Sequence, residues 1–353
     1  MSEQPTRIGA IGCGYWGPNL IRNLADMSNT TLVAVADLDE TRLESIHRRH
    51  PQVSIRTTQY RDLFDLDLDA VVVSTPPETH HALVGDCIRA GLHVMVEKPM
   101  TTSVDEARDL IDLAADRNRI LMVGHTFEYN PAVRALKQMI DAGELGDIRY
   151  IDAVRVGLGL FHPSLNVIWD LAPHDISILI YLLGEMPLSV AARGTACLQE
   201  GVEDVAYLSL TFPSGITAHT RMSWLDPRKT RTTTVVGSKK MVVYDDVAPH
   251  EKLRVYDKRV DAIRRTDTFG EFQFAYHYGS VVIPHIHFHE PLRVELDHFV
   301  ESILNGTQPL SDGFSGARVV SVIEAAQRSL AEGGVTVPVT YPYQTLAQRS
   351  ESA

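Results

Sequence analysis

Apolar residues follow two different rhythms along this chain, and the change between them divides it. Up to about residue 125, short apolar runs alternate with longer segments whose apolar residues recur every three or four positions. Ile8, Ala10 and Ile11 open the series. Thr31-Leu-Val-Ala-Val-Ala-Asp37, residues 53–56, Asp69-Ala-Val-Val-Val-Ser74, 93–97 and 119–124 continue it. Runs apolar at successive positions suit strands covered on both faces. Leu20, Ile21 and Leu24 sit at helical spacing, and residues 40–50, 78–90 and 103–118 read as helices. Ser103 with Glu106 three residues later forms a capping box. This alternation predicts a parallel sheet with helices on both faces.

Beyond residue 125 the rhythm changes. Residues 131–141 read as a helix, 148–157 as a long strand, and 166–183 as a helix despite Pro173. Strands then follow strands at 189–198, 205–212, 216–224, 231–236 and 241–245. Hairpin turns fall at Pro213-Ser-Gly215 and Gly237-Ser238. Helices at 290–304 and 316–331 close the chain. The expected fold class is α/β: an N-terminal Rossmann dinucleotide-binding domain over 1–125, then a C-terminal α+β domain over 126–343. The second domain has a large, mostly antiparallel open sheet, and 344–353 is a polar tail.

The first strand leads into Gly12-Cys-Gly-Tyr-Trp-Gly17, the spacing GxGxxG. Gly12 permits a sharp exit from the strand. Gly14 lets a pyrophosphate approach the backbone. Gly17 lets the next helix pack close, with its N-terminal N–H groups facing phosphate. Tyr15 and Trp16 lie in the same loop and count as cofactor contacts. Asp37 ends the second strand, where a carboxylate accepts from the adenosine ribose and repels a 2′-phosphate. Leu38 follows it, not an Arg or Ser, so NAD is expected over NADP. Asp37 also has a plainer reading, as a cap for the helix at 40–48.

Composition narrows the setting. The chain has 353 residues, 44% hydrophobic and 22% charged, with a net charge of −12. The length suggests two domains. An acidic chain is not expected to bind nucleic acid, which needs a basic face. No apolar run is long enough to span a bilayer, and the first residues lack a secretory pattern. Cys13, Cys87 and Cys197 are far apart and form neither a metal motif nor a disulfide framework. A cytoplasmic protein is expected.

Two constellations carry chemistry. Glu97-Lys98-Pro99 follows a strand at the edge where such sheets bind ligands, and a cis Lys98–Pro99 bond would aim the lysine inward. Ser74, Thr75, His80, His125 and Thr126 fall at the same edge. In Trp169-Asp-Leu-Ala-Pro-His-Asp175, Asp170 and His174 are four apart and share one helix face. A histidine beside a carboxylate suits a general acid/base near neutrality. The plainer readings are a solvated lysine and a helix cap beside a core histidine. His285, His287 and His289 alternate and would share a face on a strand. Such a face can be a zinc site or simply the polar side of an exposed strand; contact with substrate or a neighbouring subunit is the role expected of them, and no metal is expected.

The glycine loop, Ser74-Thr-Pro-Pro77 with Thr79-His80, Glu97-Lys98-Pro99 and Asp170…His174-Asp175 together resemble the Gfo/Idh/MocA oxidoreductase family. Other stretches resemble its members that act at C3 of UDP-N-acetylglucosamine-type nucleotide sugars: 123–131, 166–175, and Glu290-Pro-Leu-Arg293 running on to Glu295, His298-Phe299 and Asp312-Gly313. The resemblance implies that Lys98 stabilises a developing alkoxide, His174 moves the proton and Asp170 completes the triad. It implies cofactor contacts from Ser74, Thr75, Pro76, Pro77, His80, Glu97, Lys98 and Trp169. His125 and Asn130 would line the sugar site. Arg155, and the basic run Lys258-Arg259 with Arg264-Arg265, are candidates for a diphosphate, although the run also reads as an exposed loop. The sequence lacks the Gly-Gly that precedes the His motif in many inositol and sugar dehydrogenases.

The expected function is NAD-dependent hydride transfer at a secondary hydroxyl of a nucleotide-linked sugar, by a homodimer or homotetramer. The alternatives are a cyclitol, free-sugar or glycoside dehydrogenase, a redox-neutral enzyme that recycles its NAD, and a non-catalytic NAD sensor.

Overall fold

The computed structural model describes residues 4–159, 161, 165–262 and 274–343. Their contacts gather into two units. One holds the chain up to Tyr129, His289–Glu324 and the residues from Tyr341; the other holds Asn130–Phe288 and Ala325–Thr340.

In the first unit the alternating pattern becomes β1 (Thr6–Ile11), α1 (Gly17–Asp26), β2 (Thr30–Ala36), α2 (Glu40–Arg49), β3 (Ile55–Thr57), β4 (Ala70–Val73), α3 (His80–Arg89), β5 (His93–Glu97), α4 (Val104–Asp116) and β6 (Leu121–Gly124). The six strands are all parallel, in the order β3-β2-β1-β4-β5-β6. The order reverses beside β1, which makes the C-terminal ends of β1 and β4 a ligand-binding edge. Every residue of β4 is buried, as its unbroken valine run predicts. Pro77–Thr79 forms a short 3-10 turn, so α3 begins at His80 rather than 78. Ser103 caps α4 by accepting from the Glu106 N–H, while the Glu106 carboxylate reaches back to the N–H of Thr102.

The second unit contains α5 (Pro131–Asp141), β7 (Ile148–Leu158), α6 (Val167–Leu183), β8 (Ser189–Thr195), β9 (Val205–Thr211), β10 (Thr217–Ser223), β11 (Leu225–Gly237), β12 (Met241–Asp245), β13 (Leu253–Ala262) and β14 (Phe274–Val282). Then come α7 (Pro291–Asn305), α8 (Gly313–Ala331) and the two-residue β15 (Val337–Pro338). The sheet runs β14-β13-β12-β11-β7-β10-β9-β8-β15. Only its β7–β10 pair is parallel.

Three expectations change. β13 and β14 extend the sheet beyond the five strands read after residue 188; β14 is exposed along nearly its whole length, so no apolar alternation marks it. Residues 283–290 are not a strand, so His285, His287 and His289 do not share a strand face; His285 and His287 instead meet edge to face at 4.7 Å. The division at residue 125 was contiguous, but α7 returns to the first unit. Leu292, Leu296, Phe299 and Val300 of α7 pack with Ile8, Leu20 and Leu24 in one apolar core. Burying that face outweighs nearness along the chain. No helix among the described residues is long and apolar enough to cross a membrane. The tail at 344–353 lies outside the described residues.

Candidate active site

The turn out of β1 is held by close approach. Gly12 has φ +98°, and a Cβ there would lie 2.6 Å from the Ser74 carbonyl oxygen. A Cβ on Gly17 would lie 2.1 Å from the Gly12 carbonyl oxygen, so no side chain fits while the helix stays where it is. The Ser74 hydroxyl donates to the same Gly12 oxygen at 2.9 Å, tying β4 to the loop. Gly14 differs: among the described residues, a Cβ there would meet only the Arg42 guanidinium, at 3.6 Å. That leaves its backbone open to a diphosphate. Trp16 precedes α1 without a side-chain cap, so the helix keeps its first N–H groups for an anion.

Asp37 is pinned for its role. One carboxylate oxygen accepts from the Cys13 N–H at 2.6 Å and the other from the Asp39 N–H at 2.9 Å. The cap of α2 is Asp39, which accepts from the Thr41 N–H. The plainer reading of Asp37 as that cap is therefore not what forms. Burial, and then the Asp37 charge, push the Cys13 thiol up to about 12 and keep it inert. Arg42 stands 3.8 Å from Asp37 and 3.5 Å from Asp39. Tyr15 is exposed in the same loop.

Thr75 and Thr79 share a hydroxyl hydrogen bond at 2.7 Å across the Pro76-Pro77 turn. His80 is fully buried, and its ring nitrogens lie 2.9 Å from the carbonyl oxygens of Thr75 and Pro99. It braces the loop after β4 against the loop after β5. Burial holds its pKa below the usual range, so the neutral ring donates to one carbonyl at a time.

The Lys98–Pro99 peptide is cis. The Lys98 N–H donates to Glu97 Oε2 at 3.3 Å, and the Trp16 indole donates to the same carboxylate. Burial pushes Glu97 up to about 7, against the opposing pull of Lys98. His125, just after β6, is 1% exposed, and neither ring nitrogen has a hydrogen-bond partner. Burial, then the Lys98 charge, hold its pKa down to about 3, so it is neutral.

In the second unit Asn166 caps α6 by accepting from the Trp169 N–H. Trp169 and Asp170 therefore fall in the first turn, where the helix dipole favours a carboxylate. Asp170 and His174 lie one turn apart on α6, on the face the sequence predicts. Trp224 is buried and its indole N–H donates to Asp170 Oδ2 at 2.9 Å. Nothing in the local sequence singled out Trp224, because its partner is 54 residues away.

Two expected substrate contacts are better explained otherwise. Arg155 is buried and gives two N–H groups to Asp175 Oδ1, at 3.0 and 2.7 Å. A guanidinium committed to a buried carboxylate is not offered to a diphosphate. Asn130 is buried as the cap of α5, accepting from the Ala132 N–H and donating to the Tyr244 hydroxyl at 3.0 Å. Both therefore hold the fold together. Lys258 and Arg259 lie on β13 and not in a loop, with Arg259 paired to Asp257 and Asp261. Arg264 and Arg265 lie outside the described residues. Among the described residues no group of three or more His, Cys, Asp or Glu is placed to hold a metal.

Comparison with known proteins follows this geometry. Residues 6–125 match the family described as "Oxidoreductase family, NAD-binding Rossmann fold", and residues 133–243 match the "GFO/IDH/MocA C-terminal domain". The chain is 28% identical to UDP-N-acetylglucosamine 3-dehydrogenase of Acidithiobacillus ferrooxidans, covering 89% of this chain and 94% of that one. It is 26% identical to scyllo-inositol 2-dehydrogenase (NAD(+)) of Bacillus subtilis, covering 94% and 96%. A solved structure of the Acidithiobacillus enzyme superimposes with TM-score 0.77 at 25% identity, covering 94% of this chain and 99% of that one.

Proposed function

Because this chain belongs to the Gfo/Idh/MocA family of NAD-binding sugar and polyol oxidoreductases, we propose that it oxidises, or in reverse forms, a secondary alcohol at C3 of a nucleotide-linked sugar. The observation that carries a catalytic reading is the pairing of Asp170 and His174 on one face of α6, with Trp224 fixing the Asp170 carboxylate. A sensor that only binds NAD has no need of that pairing. The choice of a nucleotide sugar is supported by the likeness to the 3-dehydrogenase. The inositol dehydrogenase likeness supports the second reading, a cyclitol or free-sugar dehydrogenase.

NAD supplies the two-electron acceptor. Gly12, Gly14, Gly17 and Asp37 hold it, together with Ser74–Pro77 and Glu97. His174 takes the hydroxyl proton as oxidation proceeds and returns it in reduction, as a histidine near neutrality can. Asp170 favours the protonated imidazole and fixes its orientation. Lys98 stabilises the alkoxide as negative charge develops, the role that fixed positive charge performs best. Trp169, beside this pair in the first turn of α6, packs against the bound reactants. The exposed Tyr207, Tyr276, Tyr278, Val281 and Val282 of the large sheet support a homo-oligomer, which light scattering on the purified chain tests.

The deciding experiment follows absorbance at 340 nm with NAD against UDP-sugars, dTDP-sugars, inositols and free hexoses. NADH formed with nucleotide sugars alone, with a 3-keto product, supports the proposal. NADH formed with inositols or free hexoses instead replaces it with the second reading.

A further inference from the structure

The ring of His80 sits between two carbonyl oxygens and has one proton to give. Nδ1 lies 2.9 Å from the Pro99 oxygen, and Nε2 lies 2.9 Å from the Thr75 oxygen. A neutral imidazole carries one N–H and one lone pair. One of these contacts is therefore a hydrogen bond, and the other sets a lone pair against a carbonyl. An imidazolium would satisfy both, but the ring is 0% exposed and burial disfavours that form.

The two carbonyls differ in what else is available to them. The Pro99 contact is buried, whereas the Thr75 contact is only partly so. A carbonyl without a donor costs most where water cannot reach it. The Thr75 loop also has ties of its own. The Ser74 hydroxyl donates to the Gly12 carbonyl at 2.9 Å, and the Thr75 and Thr79 hydroxyls share a hydrogen bond at 2.7 Å. Both the N–H and the hydroxyl of Thr79 donate to the Pro76 carbonyl. On the other side, the backbone of Met100, next after Pro99, acts on the ring as well.

We propose that His80 is a positioning residue for Lys98: its Nδ1–H donates to the Pro99 carbonyl and holds the backbone just after the lysine against α3, while its Nε2 lone pair leaves the Thr75 loop free to settle on a cofactor. A hold one residue beyond Lys98 restrains the backbone from which the lysine side chain projects. The ring has no exposed surface, so it acts through the loop and not by touching the dinucleotide. The proposal rests on the assignment of Lys98 to the alkoxide, but its first two readouts need no substrate.

Nitrogen-15 NMR of the full-length protein at neutral pH, with the His80 ring assigned through bonds from its own Cβ, identifies the tautomer. The Nδ1–H form is expected; the Nε2–H form or the imidazolium overturns the proposal. Variants then test the hold. An asparagine side chain places its N–H near the position of Nδ1, and a glutamine side chain near that of Nε2. Amide exchange at Lys98 and Met100 should quicken about tenfold in His80→Leu and in His80→Gln, the scale of one buried hydrogen bond, and His80→Asn should restore most of the protection. With the substrate that the 340 nm panel identifies, kcat should fall in the same order, while the Kd for NAD moves less, because the Thr75 loop keeps its own ties. Rescue by glutamine and not by asparagine overturns the proposal. So does an equal loss of kcat and NAD affinity, which a merely structural role would give. Silence of the panel with the tautomer and exchange results intact counts against the proposed reaction and leaves the hold on the lysine loop standing.

Discussion

Each unit of the molecule buries a charged cluster, and the two follow opposite rules. In the second unit Arg155 and Asp175 are opposite charges, both almost fully buried, joined by two N–H groups on one oxygen. In the first unit Glu97 and Glu295 are two buried acids, each raised in pKa chiefly by burial, so that charge there is disfavoured rather than paired. The first arrangement lowers the energy of the folded chain once both charges are committed, and it anchors β7 to the helix turn that carries His174. The second makes ionising either acid costly, with Lys98 opposing that cost at Glu97. A buried acid set against an opposite charge serves structure, while buried acids whose proton affinity is raised mark a place where chemistry is tuned.

Removing the groups assigned to chemistry should have the largest effect. Lys98→Ala and His174→Ala are each expected to lower kcat by about 10²–10⁴-fold with the substrate the 340 nm panel identifies, the usual scale for a positioned proton-transfer or charge-stabilising group. Near-normal rates in both would end the assignment.

The comparison itself breaks if removing one member of the paired cluster is harmless. Arg155→Met leaves Asp175 charged and buried, and should cost about 3–5 kcal/mol of stability, read as a fall in Tm. Arg155→Met/Asp175→Leu should recover much of it, because no charge is then left alone. Glu295→Gln, by contrast, puts a neutral side chain of the same shape where burial already disfavours the charged form, and should not lower Tm comparably.

A smaller loss is expected from Trp224→Phe, which keeps an aromatic ring but removes the N–H given to Asp170 together with the second ring of the buried indole. A hydrogen bond to a charged group is worth about 1.5–3 kcal/mol, so kcat should fall roughly 10- to 100-fold, with a fall in Tm from the cavity.

The pH dependence sharpens the contrast most finely. Glu97 titrates near 4.5 when unfolded and is raised to about 7 in the fold, so the folded chain binds more protons between those values. Its contribution to stability therefore falls as pH rises through that window. His125 moves from 6.5 to about 3, so the folded chain binds fewer protons there, and stability falls as pH drops through that window. Tm measured against pH should lose the first slope in Glu97→Gln and the second in His125→Leu.

The architecture was legible in advance because its signals are local. The valine run of β4, the glycine spacing after β1 and the one-turn offset of Asp170 and His174 each lie within a few residues. So do the acid that ends β2 and the capping box of α4. Periodicity and turn chemistry act at that range, so the order of strands and helices can be read from them. β14 escaped because its exposed pattern leaves no alternation to read.

What the tertiary structure decided involves partners far apart in sequence. Thr126 meets Glu295 across 169 positions, Trp224 meets Asp170 across 54, and Asn130 meets Tyr244 across 114. The sequence supplied Arg155 and Asn130 as polar residues of the right type for a ligand. Only packing showed that Asp175 and the start of α5 had already engaged them. The sequence determined which segments form strands and helices, because backbone preference and burial pattern are local properties. The fold alone determined which buried polar groups are satisfied and which are left strained, because that depends on what the whole chain brings beside them.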